Sequence, residues 1–283
     1  MKHKFIQDDI EKNKCCGCCQ CSKTQKRLTW FFCFLPLASL AVLLVVILIR
    51  AATLESKLVV EPLDPQPKFM NLSSSEKNSM TKRFSEAIQI RTVSYNATSQ
   101  ENDALKNFQD FLRANYPHMF DNTAYITHEV INEYSLLFRI EGSVTTSHPY
   151  LLCAHLDVVP EGDLTQWSRP PFSGDIFTDT DDIDYIFGRG SIDDKQAVIG
   201  ILEALQFMIV EGHRPQRTFY VAFGHDEEVG GYNGAGQIAQ VLEQRLEERG
   251  EKLSFILDEG MFVMDGVFPG VSDPIGNFQL SSN

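Results

Sequence analysis

Three short apolar runs in this chain each end in a histidine or in paired acids. That recurrence restricts the fold more than any other feature. The segment YLLCAHLDVVP, residues 150–160, leads into His155 and Asp157; VAFGHDEEVGG carries Glu227 and Glu228; FILDEG carries Asp258 and Glu259. Between the first two, FGRGSIDDK, residues 187–195, sets Asp193 and Asp194 in a glycine-flanked turn that runs straight into a helical pattern. Histidines and carboxylates therefore recur where buried strands end, and in an open α/β sheet that edge is where ligands bind.

The rest of the pattern agrees with such a sheet. From Glu76 a helical spacing places Met80, Phe84, Ala87 and Ile88 on one face. A second helix is predicted over 101–116, ended by Pro117. Strands are predicted at about 124–130, 134–141, 150–154, 217–224 and 253–257, and residues 167–185 read as a loop rich in Pro, Gly and Asp. Residues 195–210 are apolar nearly all round, which predicts a buried helix stopped by Gly212, and 234–249 form an amphipathic helix ending at Gly250. Strands alternating with helices predict parallel βα units in a layered α/β domain.

Ahead of this domain the composition changes. Residues 1–27 are polar and basic, residues 28–49 form an uncharged apolar span, and 50–75 read as a stalk with Pro62, Pro65 and Pro67. A span of 22 residues is long enough to cross a bilayer as a helix, which takes about 20. It is too long, with too long a polar lead, for a cleaved signal peptide. The preceding basic residues predict a signal anchor with a cytosolic N-terminus, hence a single-pass type II membrane protein whose domain is lumenal or extracellular. The cluster Cys15, Cys16, Cys18, Cys19 and Cys21 lacks a partner set at zinc-finger spacing, and beside a membrane span it fits S-palmitoylation better. Two sequons follow the span, at Asn71 and Asn96, and none precedes it. Only Cys153 lies in the body of the chain, so a disulfide-stapled domain is excluded. It shares the alternating face of His155 and reads as a small core residue rather than a ligand. A net charge of -13 argues against a nucleic-acid partner.

Taken singly, Asp193-Asp194 would be a helix N-cap, Glu227-Glu228 a solvated turn and His155 a core histidine. Their recurrence in order, each at a strand or turn end, favours one shared site. Asp157, two residues beyond His155, points to the same side and can hold the ring nitrogen that faces away from a metal. One imidazole with several carboxylates suits zinc, manganese or cobalt. Of two adjacent glutamates, one can bind metal while the other stays free as a base. A serine hydrolase is excluded by the lack of a G-x-S-x-G elbow.

HLDVVP, GRGSIDDK, HDEEVGG and LDEG, with the loop QWSRPPFSGDI over 166–176, resemble in order and spacing the co-catalytic zinc aminoacylase/carboxypeptidase family. The likeness is greatest to the branch of carboxypeptidase S and the N-fatty-acyl-amino-acid synthase/hydrolases. It implies a zinc-exopeptidase-like three-layer α/β/α catalytic domain over 76–283. It further implies that His155 and Asp258 bind one zinc, Asp193 bridges two, and Glu228 binds the second. Glu227 would be the general base, Asp157 would support His155, and the Asp193–Asp194 peptide would be cis. The implied reaction is hydrolysis of an amide beside a free carboxylate, in a peptide or a fatty-acyl amino acid, reversible for the latter.

The likeness also marks departures. Family members carry a lid domain and a final histidine after the region of Asp258, and no histidine follows His225 here. The second zinc would keep only Asp193 and Glu228. Residues 267–275 follow the family pattern and 276–283 do not. The expectation is a C-terminally truncated form without the lid, its rival reading being an inactive, membrane-tethered fragment that binds metal or a partner.

Overall fold

The computed structural model describes residues 39–50, 72–123, 125–144, 146–260 and 280–281. The chain divides into two compact units, residues 1–70 and 71–283. In the first, residues 39–50 form an exposed helix, α1. Among the described residues no helix is long and apolar enough to cross a membrane. Of the expected span, residues 28–38 lie outside the described residues, as do the cysteine cluster, Asn71 and residues 51–71 of the expected stalk.

The second unit opens with α2 (Ser74–Gln89). Its start is a capping box: the Ser73 hydroxyl accepts from Glu76 N, and the Glu76 carboxylate accepts from Ser73 N at 2.7 Å. Such reciprocal bonds satisfy two donors that a helix start otherwise leaves open, so the serines expected to close a stalk begin a helix. A small hairpin follows, β1 (Ser94–Asn96) and β2 (Ser99–Gln100), with Asn96 exposed. Then come α3 (Asn102–Asn115) and α4 (Pro117–Phe120). Pro117 ends one helix and starts the next, since the first helical position needs no N–H donor. The chain continues through β3 (Ile126–Ile131), β4 (Ser135–Ile140), β5 (Tyr150–His155), β6 (Ile176–Thr178), β7 (Asp184–Ile186), α5 (Lys195–Val210), β8 (Phe219–Gly224), α6 (Ala235–Arg249), β9 (Ile256–Leu257) and β10 (Leu280–Ser281).

Six strands form one sheet in the order β10-β9-β5-β8-β4-β3. It is mixed rather than parallel throughout. Only β5 pairs in parallel, with β8 and with β9, whereas β3–β4, β4–β8 and β10–β9 are antiparallel. The cause of the antiparallel start is local. Asn132 and Glu133 both take positive φ, 47° and 69°, between β3 and β4. Those two left-handed residues lie in a three-residue link, Asn132 to Tyr134, that joins Ile131 to its partner Ser135 and closes a hairpin. The segment expected as a loop also holds a hairpin, β6 against β7, with Phe177 opposite Tyr185.

Alternation along the strands separates two cores. Leu136, Phe138, Phe219, Val221 and Phe223 pack with α2, α3, α4 and α5 on one face. Leu137, Leu151, Tyr220 and Ala222 pack with Ile238 and Leu242 of α6 on the other. The result is three layers, α/β/α. Each buried Leu, Ile or Phe contributes about 1.5–3 kcal/mol. Two polar ties lock the α2 side. Arg83 donates to both oxygens of Glu203, from Nη2 at 2.7 Å, and the buried Tyr116 hydroxyl donates to the same carboxylate at 2.7 Å. Lys195 is fully buried at the start of α5, where its ammonium donates to the Ala87 and Ile90 carbonyls at the end of α2. Burial pushes that amine down to about 7.

Candidate metal centre

Because β5, β8 and β9 run in parallel, their carboxyl ends meet at one edge. In register, His155 lies opposite Gly224, and Leu152 opposite Leu257. The chain beyond β8 therefore delivers Glu227 and Glu228 to the same place as His155, and the chain beyond β9 delivers Asp258 and Glu259. The turn before α5 brings in Asp193, followed by the cis Asp193–Asp194 peptide.

His155 is the buried centre, 2% exposed. Its Nδ1 meets the Asp157 carbonyl at 3.0 Å and the Asp157 carboxylate at 3.3 Å. That pairing sets the ring orientation and turns Nε2 toward the acids. Nε2 lies 2.8 Å from Asp193 Oδ1, 3.6 Å from Glu259 Oε2 and 3.8 Å from Glu227 Oε2. One donor atom each from His155, Asp193 and Glu259 falls within 4.8 Å of the others. An imidazole with carboxylates in so small a space is a donor set that fits zinc or a similar divalent ion.

The electrostatics are those of crowded acids around one ring. Burial disfavours the His155 cation, but hydrogen bonds that the ring donates to Asp157 and Asp193 outweigh it and raise the ring to about 11. The same hydrogen bond, from His155, lowers Asp193. Burial raises Glu227 and Glu259, and it pushes Glu228 up to about 7. Asp194 is also raised to about 7 by burial, and at the N-cap position of α5 its side chain makes no capping bond.

Asp157 does more than orient the ring. Fully buried, it accepts hydrogen bonds from Glu227 N at 3.1 Å and Glu228 N at 3.3 Å. It thus fixes the 3-10 turn Glu227–Val229 against His155. Asp226 braces the far side of that turn by accepting from Asn233 N and Gly234 N. Gly234 is needed there, because a Cβ would stand 2.6 Å from Asp226 Oδ1 and 2.7 Å from His225 N. His225 is buried and its Nδ1 meets the Ser135 hydroxyl, so it serves the loop rather than the acid cluster.

The expected residues are thus gathered at one edge, with one difference in detail. Glu259 reaches the His155 ring, whereas the Asp258 carboxylate turns back to accept from Glu259 N at 3.0 Å. Glu228 accepts from Val159 N at 3.1 Å and stands apart from the compact trio. Cys153 packs in the α6-side core, and burial, with the charge of Asp258, pushes its thiol up to about 12. Two clefts open from the centre. One, of about 790 Å³, runs beside α6 past Cys153, His155, Glu227, Leu242, Ile256 and Asp258. The other, of about 850 Å³, runs past Asp193 and Glu228 toward the β6–β7 hairpin.

Residues 151–274 match the family model described as Peptidase family M20/M25/M40. Among similar proteins, the N-fatty-acyl-amino acid synthase/hydrolase PM20D1 of Xenopus tropicalis is 40% identical over 239 residues, which is 84% of this chain and 44% of that protein. The probable carboxypeptidase S-like 2 of Dictyostelium discoideum is 37% identical over 250 residues, covering 87% of this chain and 45% of its own. Carboxypeptidase S of Saccharomyces cerevisiae is 33% identical over 218 residues, 73% of this chain and 36% of its own. The chain spans less than half the length of these relatives.

Proposed function

We propose that this chain, whose residues 151–274 belong to peptidase family M20, is a zinc-dependent hydrolase of amide bonds that lie beside a free carboxylate. The observation that carries the reading is the convergence of His155, Asp193 and Glu259 within 4.8 Å, with Glu227 Oε2 only 3.8 Å from the same ring nitrogen. His155, Asp193 and an acid of the Asp258-Glu259 pair would hold one zinc, and Asp193 with Glu228 would share in a second. Zinc bound there acidifies water and polarises a carbonyl.

The chain's own groups supply the proton chemistry. Burial raises the Glu227 carboxyl against the lowering pull of the nearby His155 ring, and its raised pKa suits a base that takes a proton from water and gives it to the leaving nitrogen. Asp157 keeps the Glu227–Val229 turn and the His155 ring in fixed relation. The names of the relatives support N-acyl amino acids and peptides as substrate classes.

The test is hydrolysis of an N-acyl amino acid and a dipeptide by the full chain, the chain treated with a chelator, and Glu227→Gln. Turnover that is lost in both treated forms and restored by zinc only in the wild type supports the reading. Metal binding without turnover on either substrate would make the chain a metal-binding fragment instead.

The type II topology belongs to the same proposal and rests on the uncharged span 28–49 with its basic lead. It predicts glycan at Asn96, on an exposed hairpin, and thioester-linked lipid on the cysteines between 15 and 21. A chain made in microsomes that gains no glycan would sink it.

A further inference from the structure

We infer that Gln100, on the β1–β2 hairpin and ahead of the residues that match the family model, is a positioning residue for Glu227. This rests on the hydrolase reading, and it adds a second tie between the two loops that carry His155 and Glu227. Gln100 Nε2 donates to the Ser94 hydroxyl at 2.8 Å and to the His225 carbonyl at 3.0 Å. A carbonyl only accepts, so the amide nitrogen must be the atom that faces it, and both of its hydrogens are engaged. The His225 carbonyl stands directly beyond β8, two residues ahead of Glu227.

The hairpin that holds this amide is itself locked to the His155 loop. Thr92 and Ser94 are buried. The Thr92 hydroxyl donates to the Leu156 carbonyl at 2.7 Å, Val158 N donates to the Thr92 carbonyl at 3.0 Å, and Ser94 N donates to the Val158 carbonyl at 3.0 Å. These bonds bracket Asp157 on both sides along the chain. Glu101 N closes the base of the hairpin by donating to the Val93 carbonyl at 2.9 Å. Arg91 braces it from outside, donating to Glu101 at 2.8 Å and to the two oxygens of Glu161 at 2.8 and 2.9 Å. Gln100 therefore reaches out from a fixed frame. It holds the entry of the Glu227–Val229 turn, while Asp157 holds the turn itself at Glu227 N and Glu228 N. Two ties at separate points stop the turn from pivoting about either one. A base 3.8 Å from His155 Nε2 depends on that fixity, because a misplacement of about 1 Å costs about 100-fold in rate.

The experiment compares the full chain with Gln100→Met and Gln100→Glu. Gln100 is half-buried at the surface, so neither change disturbs the core. Met keeps the bulk without a donor. Glu keeps the shape and brings an oxygen against the His225 carbonyl. The readouts are amide hydrogen exchange and, with zinc added, steady-state hydrolysis of an N-acyl amino acid. Losing one neutral hydrogen bond corresponds to about fivefold in an equilibrium. Exchange at the Glu227 and Glu228 amides should quicken by about fivefold in Gln100→Met and by more in Gln100→Glu, with β5 and β8 unchanged. kcat should fall by about fivefold in Gln100→Met and further in Gln100→Glu, with KM held, because the base acts in the transition state.

Exchange that quickens evenly through the sheet would make Gln100 a general support and overturn the inference, as would exchange that does not change. So would Gln100→Glu behaving as wild type, since shape rather than the donated bond would then matter. A raised KM at unchanged kcat would overturn it too, as would an unchanged kcat beside loosened Glu227 and Glu228 amides. Local loosening in a chain whose wild type shows no turnover would keep the tie and sink the hydrolase reading, so the two failures are distinguishable.

Discussion

Asp157→Asn tests how the centre is held together. The carboxylate is fully buried and accepts two backbone N–H groups, at 3.1 and 3.3 Å, while standing 3.3 Å from His155 Nδ1. The substitution keeps size but removes the charge, and its NH₂ can accept nothing. One of the two amides then loses its partner, and the other keeps only a neutral one. Hydrogen bonds to a charged group contribute about 1.5–3 kcal/mol each and neutral ones about 1. The loss is therefore about 2–4 kcal/mol, a drop in midpoint of roughly 5–10 °C for a domain of this size. The Asp157 carbonyl still meets Nδ1 at 3.0 Å, so the ring keeps its tautomer and the site is loosened rather than abolished. Zinc affinity should fall by about 10–100-fold, the usual cost of losing an outer-shell partner. The assays are thermal unfolding and competition for zinc with a chromophoric chelator. An unchanged midpoint together with unchanged affinity would refute the idea that Asp157 couples the Glu227–Val229 turn to His155.

Three further outcomes follow from the packing and the acids. Glu203→Ala strands the Arg83 guanidinium and the Tyr116 hydroxyl between α2, α4 and α5, and should cost about 3–5 kcal/mol in denaturant unfolding. Gly234→Ala forces its Cβ against Asp226 Oδ1 and His225 N, and should cost about 1–3 kcal/mol while lowering any turnover through the displaced Glu227 turn. In the metal-free protein, Asp194 and Glu228 are raised to about 7 and His155 to about 11, so all three hold protons more tightly folded than unfolded. Stability from the carboxyl protons then declines as pH rises from their ordinary values through about 7, and that from His155 is full below its ordinary 6.5 and lost through about 11. Metal-free protein should unfold at a lower temperature at about pH 8 than at about pH 5, and added zinc should narrow or reverse that difference, because its ligands bind deprotonated.

The part of the fold nearest the site was the most legible in the sequence. Strands β5, β8 and β9 and helices α5 and α6 follow directly from apolar period and glycine stops, and so does the gathering of His155, Asp193 and Glu227 at one edge. Other features depend on information that periodicity does not carry. The antiparallel start of the sheet is decided by two positive-φ residues, Asn132 and Glu133, and glutamate gives no turn signal there. The β6–β7 hairpin is three residues a side and was hidden by its polar turn, where the Asp179 carboxylate accepts from Asp181 N and Ile183 N. The capping box at Ser73 was readable from its Ser-x-x-Glu spacing. Between adjacent Asp258 and Glu259 no spacing decides which side chain reaches His155. That is set by the backbone direction after a two-residue strand, and by Asp258 folding back on the Glu259 amide.

Zinc titration of the full chain beside Asp193→Ala, Glu259→Ala and Asp258→Ala tests the central claim most directly. The geometry predicts tight binding in the wild type, severe loss in Asp193→Ala and Glu259→Ala, and a smaller loss in Asp258→Ala, whose carboxylate acts on the Glu259 amide. Unchanged zinc affinity in Asp193→Ala and Glu259→Ala would mean that the acids around His155 are not a metal centre.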